Sequence, residues 1–363
     1  MIVLVLVFLT AFIVVLYSTP ALIKVAVLKR LIDLPSEDRK IHKGSVPTIG
    51  GIIIYAGTLF AYALWYNIDD MVYYETIFES VKEFKLIVAT SLILFFVGVK
   101  DDIIGTAPVK KLFAHIVVAL ILVLMGNIRI TCLYGIFGVY DIPYWGSVFI
   151  SIFTYVVVVN SINLIDGVDG LASGVGFITA CSFGIWFIYA NDFPYASLSF
   201  ALAGSLLGFL IFNFSPAKIF MGDSGSLVIG VFVCILAIKM IEFPIQKLDS
   251  FWVHVSKPVF AISALIYPLL DTLRVFIIRA LKGQSPFNAD RNHLHHKLID
   301  CGYSHLKTVI IIYSFSVITI GASLLTYYFN QPTMSLITIV STSMVFLIFV
   351  IRINNRASKK NPQ

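Results

Sequence analysis

The segment NADRNHLHHKLID, residues 288–300, concentrates groups that bind phosphate or carry protons in a chain that is otherwise 59% hydrophobic. His293, His295 and His296 are separated by two residues and one, a spacing that does not place all three on one helix face. We therefore expect a loop around a ligand, in which Arg291 and the imidazoles donate hydrogen bonds to phosphate. A zinc site is the alternative, but the single nearby cysteine does not complete a tetrahedral set of ligands.

Two adjacent carboxylates, Asp101 and Asp102, follow an apolar run and precede Lys110 and Lys111. Negative charge is unfavourable at a helix C-terminus unless a cation or substrate compensates it. We interpret the two aspartates as a catalytic base or a metal site, with the lysines as counter-charges or phosphate ligands. A helix end that simply faces water is the alternative.

Polar residues recur at every third position in NSINLIDGVDG, at Asn160, Asn163, Asp166 and Asp169. If the helix continues this far, the first three stack on one face. Amide and carboxylate oxygens suit a hard cation such as Mg²⁺, and they can also contact a nucleobase. Interhelical hydrogen bonding inside the membrane is the alternative.

The segment FMGDSGS precedes another apolar run, so Asp223 and Ser224 fall where an N-cap is expected. Helix N-termini favour anions, and the two glycines allow the backbone to approach a ligand closely. Phe220 offers a face for stacking. The segment therefore fits a phosphate or a nucleotide, with plain helix capping as the alternative.

The elements that must position these groups are membrane helices, because a mean hydropathy of +0.93 with 13% charged residues excludes an ordinary soluble globule. We predict an all-α polytopic membrane protein with about eleven transmembrane helices. The apolar windows are 1–24, 49–67, 85–100, 112–128, 146–163, 171–190, 196–213, 224–241, 258–281, 308–328 and 333–351. We expect one catalytic domain over 1–351 and a short polar cytoplasmic tail over 352–363.

The distribution of basic residues predicts sidedness. With the N-terminus outside, 18 lysines and arginines fall on one side and six on the other, so the first side is cytoplasmic. Topology thus accounts for most of the net charge of +6, and nothing indicates nucleic-acid binding. All five polar segments, including DLPSEDRKIHK in the first loop, fall on the cytoplasmic side, where they form one active-site face.

These segments, taken in order, resemble the polyprenyl-phosphate N-acetylhexosamine-1-phosphate transferases, or glycosyl transferase family 4. The resemblance rests on DLPSEDRKIHKGSVPTIGG, GVKDD, NSINLIDGVDGLASG, FMGDSGSL and SPFNADRNHLHH, and it covers nearly the whole chain. The last motif resembles the bacterial branch that loads GlcNAc-1-phosphate onto undecaprenyl phosphate. It implies a Mg²⁺-dependent enzyme of the cytoplasmic membrane that converts UDP-GlcNAc and undecaprenyl phosphate into GlcNAc-diphosphoundecaprenol and UMP.

The resemblance also implies roles for individual residues. Asn163 and Asp223 match the metal ligands. Catalytic roles fall on Asp101, Asp102, Lys110, Asp166 and His295, of which the first two deprotonate or orient the lipid phosphate. Substrate contacts fall on Asn160, Asp169, Phe220, Arg291, His293, His296, Lys40 and His42. For the basic first loop, control of topology is an equal alternative to binding the lipid phosphate.

Several alternatives remain open at this stage. The sugar is undecided between GlcNAc, another N-acetylhexosamine and UDP-MurNAc-pentapeptide as donor, and so is the envelope polymer, teichoic acid or lipopolysaccharide among them. A homodimer is also left open. The rival from another class is a transporter or flippase, which places ionisable groups near the bilayer midplane. Asp271 and Arg274 lie at such a depth, where they form an ion pair or line the site.

Overall fold

The computed structural model describes residues 1–29, 32–33, 46–66, 74–284, 292–329 and 331–360. Their regular structure is overwhelmingly helical, which confirms an all-α polytopic membrane protein. The long helices are α1 (Ile2–Leu28), α2 (Gly51–Leu64), α3 (Tyr74–Ile104), α4 (Pro108–Leu120), α5 (Tyr144–Leu164), α6 (Leu171–Tyr189), α7 (Phe193–Asn213), α8 (Gly222–Glu242), α11 (Ile266–Leu281), α13 (His305–Leu325) and α14 (Pro332–Lys360). Shorter helices are α9 (Ser250–His254), α10 (Lys257–Ala264) and α12 (Leu294–Asp300).

Each of the eleven apolar windows contains a helix, but fewer helices have the length and composition of a membrane span. Within the described residues, eight do, and the pair α10 and α11, bent by 74°, makes nine if it counts as one span. Helix α2 is apolar but has only 14 residues, and charged residues flank the apolar part of α3. The number eleven and the outside N-terminus therefore stay predictions.

The chain divides into two compact units. The first comprises Met1–Arg129 and Ser151–Leu236, and the second comprises Ile130–Ile150 and Ala237–Gln363. In the first unit α7 packs against α1 through small residues, since a Cβ on Gly204 would lie 2.2 Å from the Phe8 carbonyl oxygen. Without a hydrophobic driving force inside lipid, such close backbone approach is what holds two membrane helices together. The prediction of one catalytic domain over 1–351 is untested by this division and stays a prediction.

The short strands form two antiparallel pairs: β1 (Ile32–Asp33) with β2 (Val46–Pro47), and β3 (Cys132–Ile136) with β4 (Val139–Asp141). Phe137 and Gly138 connect β3 to β4, and both have positive φ, as a tight two-residue hairpin turn requires. In this second unit α14 packs against β3, and α12 packs against both α13 and α14.

Candidate active site

A lysine joins carboxylates from two distant helices in the first unit. Helix α3 ends at Ile104, and Gly105 with φ +75° turns the chain so that α4 begins at Pro108. The Lys111 Nζ atom in the first turns of α4 lies 3.0 Å from Asp101 Oδ2 and 2.5 Å from Asp223 Oδ2. We name Asp101, Asp102, Asp223 and Lys111 the carboxylate cluster.

Asp102 caps helix α8. Its Oδ1 accepts the backbone N–H of Asp223 at 2.7 Å, and its Oδ2 accepts that of Ser224 at 3.1 Å. The first N–H groups of a helix have no partner within the helix, and the positive end of its dipole attracts a carboxylate. The expected cost of two carboxylates at the end of α3 is therefore offset by α8 and by Lys111. Helix α8 begins at Gly222, so Asp223 and Ser224 both lie inside its first turn, and the expectation that they occupy the N-cap is wrong.

Glycines allow the close approach that this cap needs. A Cβ on Gly98 of α3 would lie 2.5 Å from the Ser224 backbone N, and one on Gly51 would lie 2.0 Å from the Gly225 N. Gly222 has φ +71°, and a Cβ on it would lie 2.1 Å from the Thr48 carbonyl oxygen. The start of α8 is thus enclosed by backbone from both α2 and α3, which fixes the position of Asp223.

Helix α5 contributes Asn163 to the same place. The Asn163 Nδ2 atom donates to Asp223 Oδ1 and to Ser226 Oγ, each at 2.9 Å. Sequence reasoning missed Ser226, although its position three residues after Asp223 on a helix was the available signal. Because α5 ends at Leu164, only Asn160 and Asn163 share a helical face, and Asp166 lies in the turn that follows.

The two aspartates after α5 have different surroundings. Burial, followed by the charges of Asp223 and Asp102, raises the pKa of the Asp166 carboxyl well above its usual range. Asp169 is buried, and its Oδ2 accepts the N–H of Ala217, which steadies the segment leading to Phe220. Phe220 itself is part-buried, and its backbone pairs with Pro47 and Gly50. Their predicted contacts with a nucleobase stay predictions.

The second unit holds a buried aspartate with three histidines, which we name the histidine cluster: Asp271, His293, His295 and His296. Asp271 Oδ2 lies 2.8 Å from His293 Nδ1, and its Oδ1 accepts the N–H of Leu294 at 2.7 Å. The rings of His293 and His295 stack with centroids 5.3 Å apart, and that of His296 lies 4.4 Å from His295. Burial lowers the pKa of His295 to about 3, so the ring is neutral.

The expectation of a loop over the histidines is wrong for residues 294–300, which form α12. The physical reason is that Asp271 accepts the first N–H of this helix, as an N-cap would, from a distant part of the chain. Arg274 donates to the Asn292 carbonyl oxygen and Asp271 binds His293. Of the two alternatives for Asp271 and Arg274, these contacts do not support the ion pair, and lining the site stays a prediction.

The basic residues predicted for the site have two different outcomes. Lys110 is exposed, and it is its neighbour Lys111 that contacts the carboxylates, so the predicted role of Lys110 stays a prediction to which the geometry lends less support. Lys40, His42 and Arg291 lie outside the described residues.

The carboxylate cluster fits a divalent cation. Oxygen atoms of Asp101, Asp102 and Asp223 all lie within 4.8 Å of one another, the only such group of three among the described residues. Hard ions such as Mg²⁺ prefer carboxylate and amide oxygens, and the chain offers Asn163 beside Asp223. The predicted metal ligands Asn163 and Asp223 lie at this group of carboxylates, and their role as metal ligands stays a prediction.

Comparison with known proteins agrees with this arrangement. Residues 84–241, which contain the whole carboxylate cluster, match glycosyl transferase family 4. The chain is 31% identical to decaprenyl-phosphate N-acetylglucosaminephosphotransferase of Mycolicibacterium smegmatis over 96% of this chain and 88% of the relative. It is 27% identical to undecaprenyl-phosphate alpha-N-acetylglucosaminyl 1-phosphate transferase of Escherichia coli over 83% of this chain and 76% of the relative. The chain therefore belongs to glycosyl transferase family 4, the polyprenyl-phosphate N-acetylhexosamine-1-phosphate transferases.

Proposed function

We propose that this protein transfers GlcNAc-1-phosphate from UDP-GlcNAc to undecaprenyl phosphate and releases UMP, with Mg²⁺ as cofactor. A lipid phosphate oxygen forms a bond to the β-phosphorus of the nucleotide sugar, and the bond from that phosphorus to the bridging oxygen breaks. The bridging oxygen leaves with UMP. The observation that carries the proposal is the carboxylate cluster, in which three carboxylates and Lys111 converge from three helices.

The cluster supplies the charges that phosphoryl transfer needs. Asp223 and Asn163, which the resemblance matches to metal ligands, would hold Mg²⁺, which when bound neutralises diphosphate charge. Lys111 adds a fixed positive charge at the same place. Phosphoryl transfer depends mostly on positioning and electrostatics. The close packing of α8 against α2 and α3 holds Asp223 in position beside the α3 aspartates.

Asp101 is the better candidate for the catalytic base. Both oxygens of Asp102 accept backbone N–H groups of α8, so Asp102 acts as a positioning residue. Asp101 contacts Lys111, and burial and the neighbouring Asp223 raise the pKa of its carboxyl. A carboxylate with a raised pKa is a stronger base, which suits it to take a proton from the lipid phosphate or to orient that phosphate.

The histidine cluster is proposed to contact the diphosphate or sugar. Asp271 fixes the orientation of the His293 ring, and it also fixes the start of α12, on which His295 and His296 lie. A ring N–H can donate to a phosphate oxygen and a bare ring nitrogen can accept from a sugar hydroxyl, so imidazoles suit this part of the substrate.

The test is release of UMP by purified protein in detergent, without any gradient. We expect UMP and GlcNAc-diphospholipid in equal amounts, with undecaprenyl phosphate preferred over decaprenyl phosphate and UDP-GlcNAc over UDP-GalNAc and UDP-MurNAc-pentapeptide. Asp223→Asn should lose at least about a hundredfold in turnover while remaining folded, because the amide keeps one hydrogen-bond acceptor but loses the charge. The matched control is Asp249→Asn, an exposed aspartate at the start of α9. No UMP from the wild type with any of these donors would refute the function and favour a transporter.

The active site is proposed to face the cytoplasm of a bacterial inner membrane. A cysteine introduced at Thr106, between α3 and α4, should be shielded from an impermeant thiol reagent in intact cells. One at Asn191, between α6 and α7, should react. The reverse pattern would overturn this orientation.

A further inference from the structure

A buried histidine lies next to the carboxylate cluster without a role in the proposed chemistry. His115 follows Lys111 by four residues on α4, so the two side chains occupy the same face of the helix. At a rise of about 1.5 Å per residue, His115 lies roughly 6 Å further along the helix than Lys111. The charged groups that face its imidazole are Asp223 and Lys111 themselves.

The imidazole of His115 is buried with an unused polar atom. The residue is 5% exposed, and no residue that the structure describes forms a hydrogen bond with its Nε2 atom. Ala114, Val118 and Ala119, which surround it on α4, are buried and apolar. Buried polar side-chain atoms in native proteins nearly always have a partner, so an exception beside a reactive cluster points to a ligand.

The direction of α4 indicates which of the two substrates contacts His115. The helix begins at Pro108 with Lys111 in its first turn, and it continues into an apolar stretch long enough to cross the membrane. His115 is therefore on the membrane side of Lys111. A water-soluble nucleotide sugar reaches the cluster from the polar side, whereas a lipid phosphate brings its hydrocarbon chain from the membrane side.

We propose that His115 is a substrate-contacting residue that hydrogen-bonds the phosphate end of the polyprenyl phosphate. The inference rests on the proposed function and assigns a residue to one of its two substrates. The ring donates its Nε2–H to a phosphate oxygen while Lys111 supplies positive charge. His115 belongs neither to the sequence motifs nor to the carboxylate cluster.

Two substitutions separate this role from a structural one. His115→Leu removes the polar atom and should leave the protein at least as thermally stable as the wild type, because an unpaired buried polar atom costs stability. His115→Gln keeps a donor at similar reach. The matched control is Phe113→Leu on the exposed side of the same helix, since Phe113 is 68% exposed.

The binding measurement uses a short-chain polyprenyl phosphate alone, without nucleotide sugar, and follows the rise in melting temperature. We expect this rise to be lost in His115→Leu and largely kept in His115→Gln and Phe113→Leu. In steady-state kinetics with both substrates varied, His115→Leu should raise KM for the lipid about tenfold to a hundredfold, as loss of one bond to a charged phosphate predicts. KM for UDP-GlcNAc should change less than about twofold, since that substrate makes no bond to this residue.

A lipid KM in His115→Leu within about twofold of the wild type would overturn the inference, since one lost phosphate bond predicts more. That result would assign the ring to a structural role, such as one satisfied by a buried water. Equal effects on both KM values would overturn it as well. Failure of the proposed function is a different result, because the wild type then releases no UMP, and the lipid-dependent rise in melting temperature still reports on His115.

Discussion

Two adjacent lysines give a sharp test of the site. The family resemblance gave a catalytic role to Lys110, whereas the structure places Lys111 against Asp101 and Asp223 and leaves Lys110 exposed. The perturbation is Lys111→Gln, with Lys110→Gln as its matched control. Both remove one positive charge from the same helical turn, so an effect of net charge alone is the same in both variants.

The magnitude follows from the two contacts of Lys111. A hydrogen bond to a charged group contributes about 1.5–3 kcal/mol. Because the side chains of Lys111, Asp101 and Asp223 are 17–21% exposed, solvent screening favours the lower end for each. Under the proposed function the same charge also meets the diphosphate in the transition state, so we expect a loss of about 2–4 kcal/mol there, or about 30-fold to 700-fold in kcat/KM. Lys110→Gln should stay within about threefold, as an exposed charge would.

The assay is release of UMP under saturating lipid phosphate at varied UDP-GlcNAc, combined with a melting curve. Removal of Lys111 leaves the carboxylates without their cation, so the melting temperature of Lys111→Gln should fall and Mg²⁺ should restore part of the loss. If Lys110→Gln loses more activity than Lys111→Gln, the reasoning from the geometry of the cluster is refuted and the original assignment of Lys110 stands.

Three further predictions concern the supports of the two clusters. Asp271→Asn leaves one of its two donors, His293 Nδ1 or Leu294 N, without an acceptor, at a cost of about 1–3 kcal/mol; a melting temperature equal to that of Asp249→Asn would contradict this. Burial lowers the pKa of His295 from 6.5 to about 3, so the stability it contributes is present above pH 6.5 and is lost as the pH falls toward 3. As the pH is lowered from 6 to 4, the free energy of unfolding should fall about 1.4 kcal/mol per pH unit more steeply in the wild type than in His295→Leu. Equal pH slopes of the free energy of unfolding in the two proteins would count against a neutral buried ring. Gly98→Ala places a methyl group 2.5 Å from the Ser224 backbone and should abolish folding or activity. Gly321→Ala, with nothing within 4 Å of the added Cβ, should be neutral or stabilising. Similar melting temperatures in the two variants would contradict this prediction.

Local properties of the chain were enough to predict its class. Apolar runs of sufficient length can only be satisfied as helices in lipid, and each predicted window contains a helix. The candidate site residues were recognisable because carboxylates and amides are rare in such a chain, so Asp101, Asp102, Asn163 and Asp223 were all identified. These residues were expected to meet because their segments fall on the same predicted side of the membrane, and the contacts among these four agree with that expectation.

Only the tertiary structure assigned separate tasks to residues of the same type. Asp101 and Asp102 are neighbours in sequence, yet only Asp102 caps a helix that begins 120 residues later. Lys110 and Lys111 differ by about 100° around α4, and only the packing of α3 and α8 decides which of them meets the carboxylates. The helix at 294–300 likewise depends on an acceptor, Asp271, that is 23 residues from Leu294. Helical periodicity and hydrophobicity are local and can be read along the chain, whereas hydrogen-bond partners depend on which helices pack together.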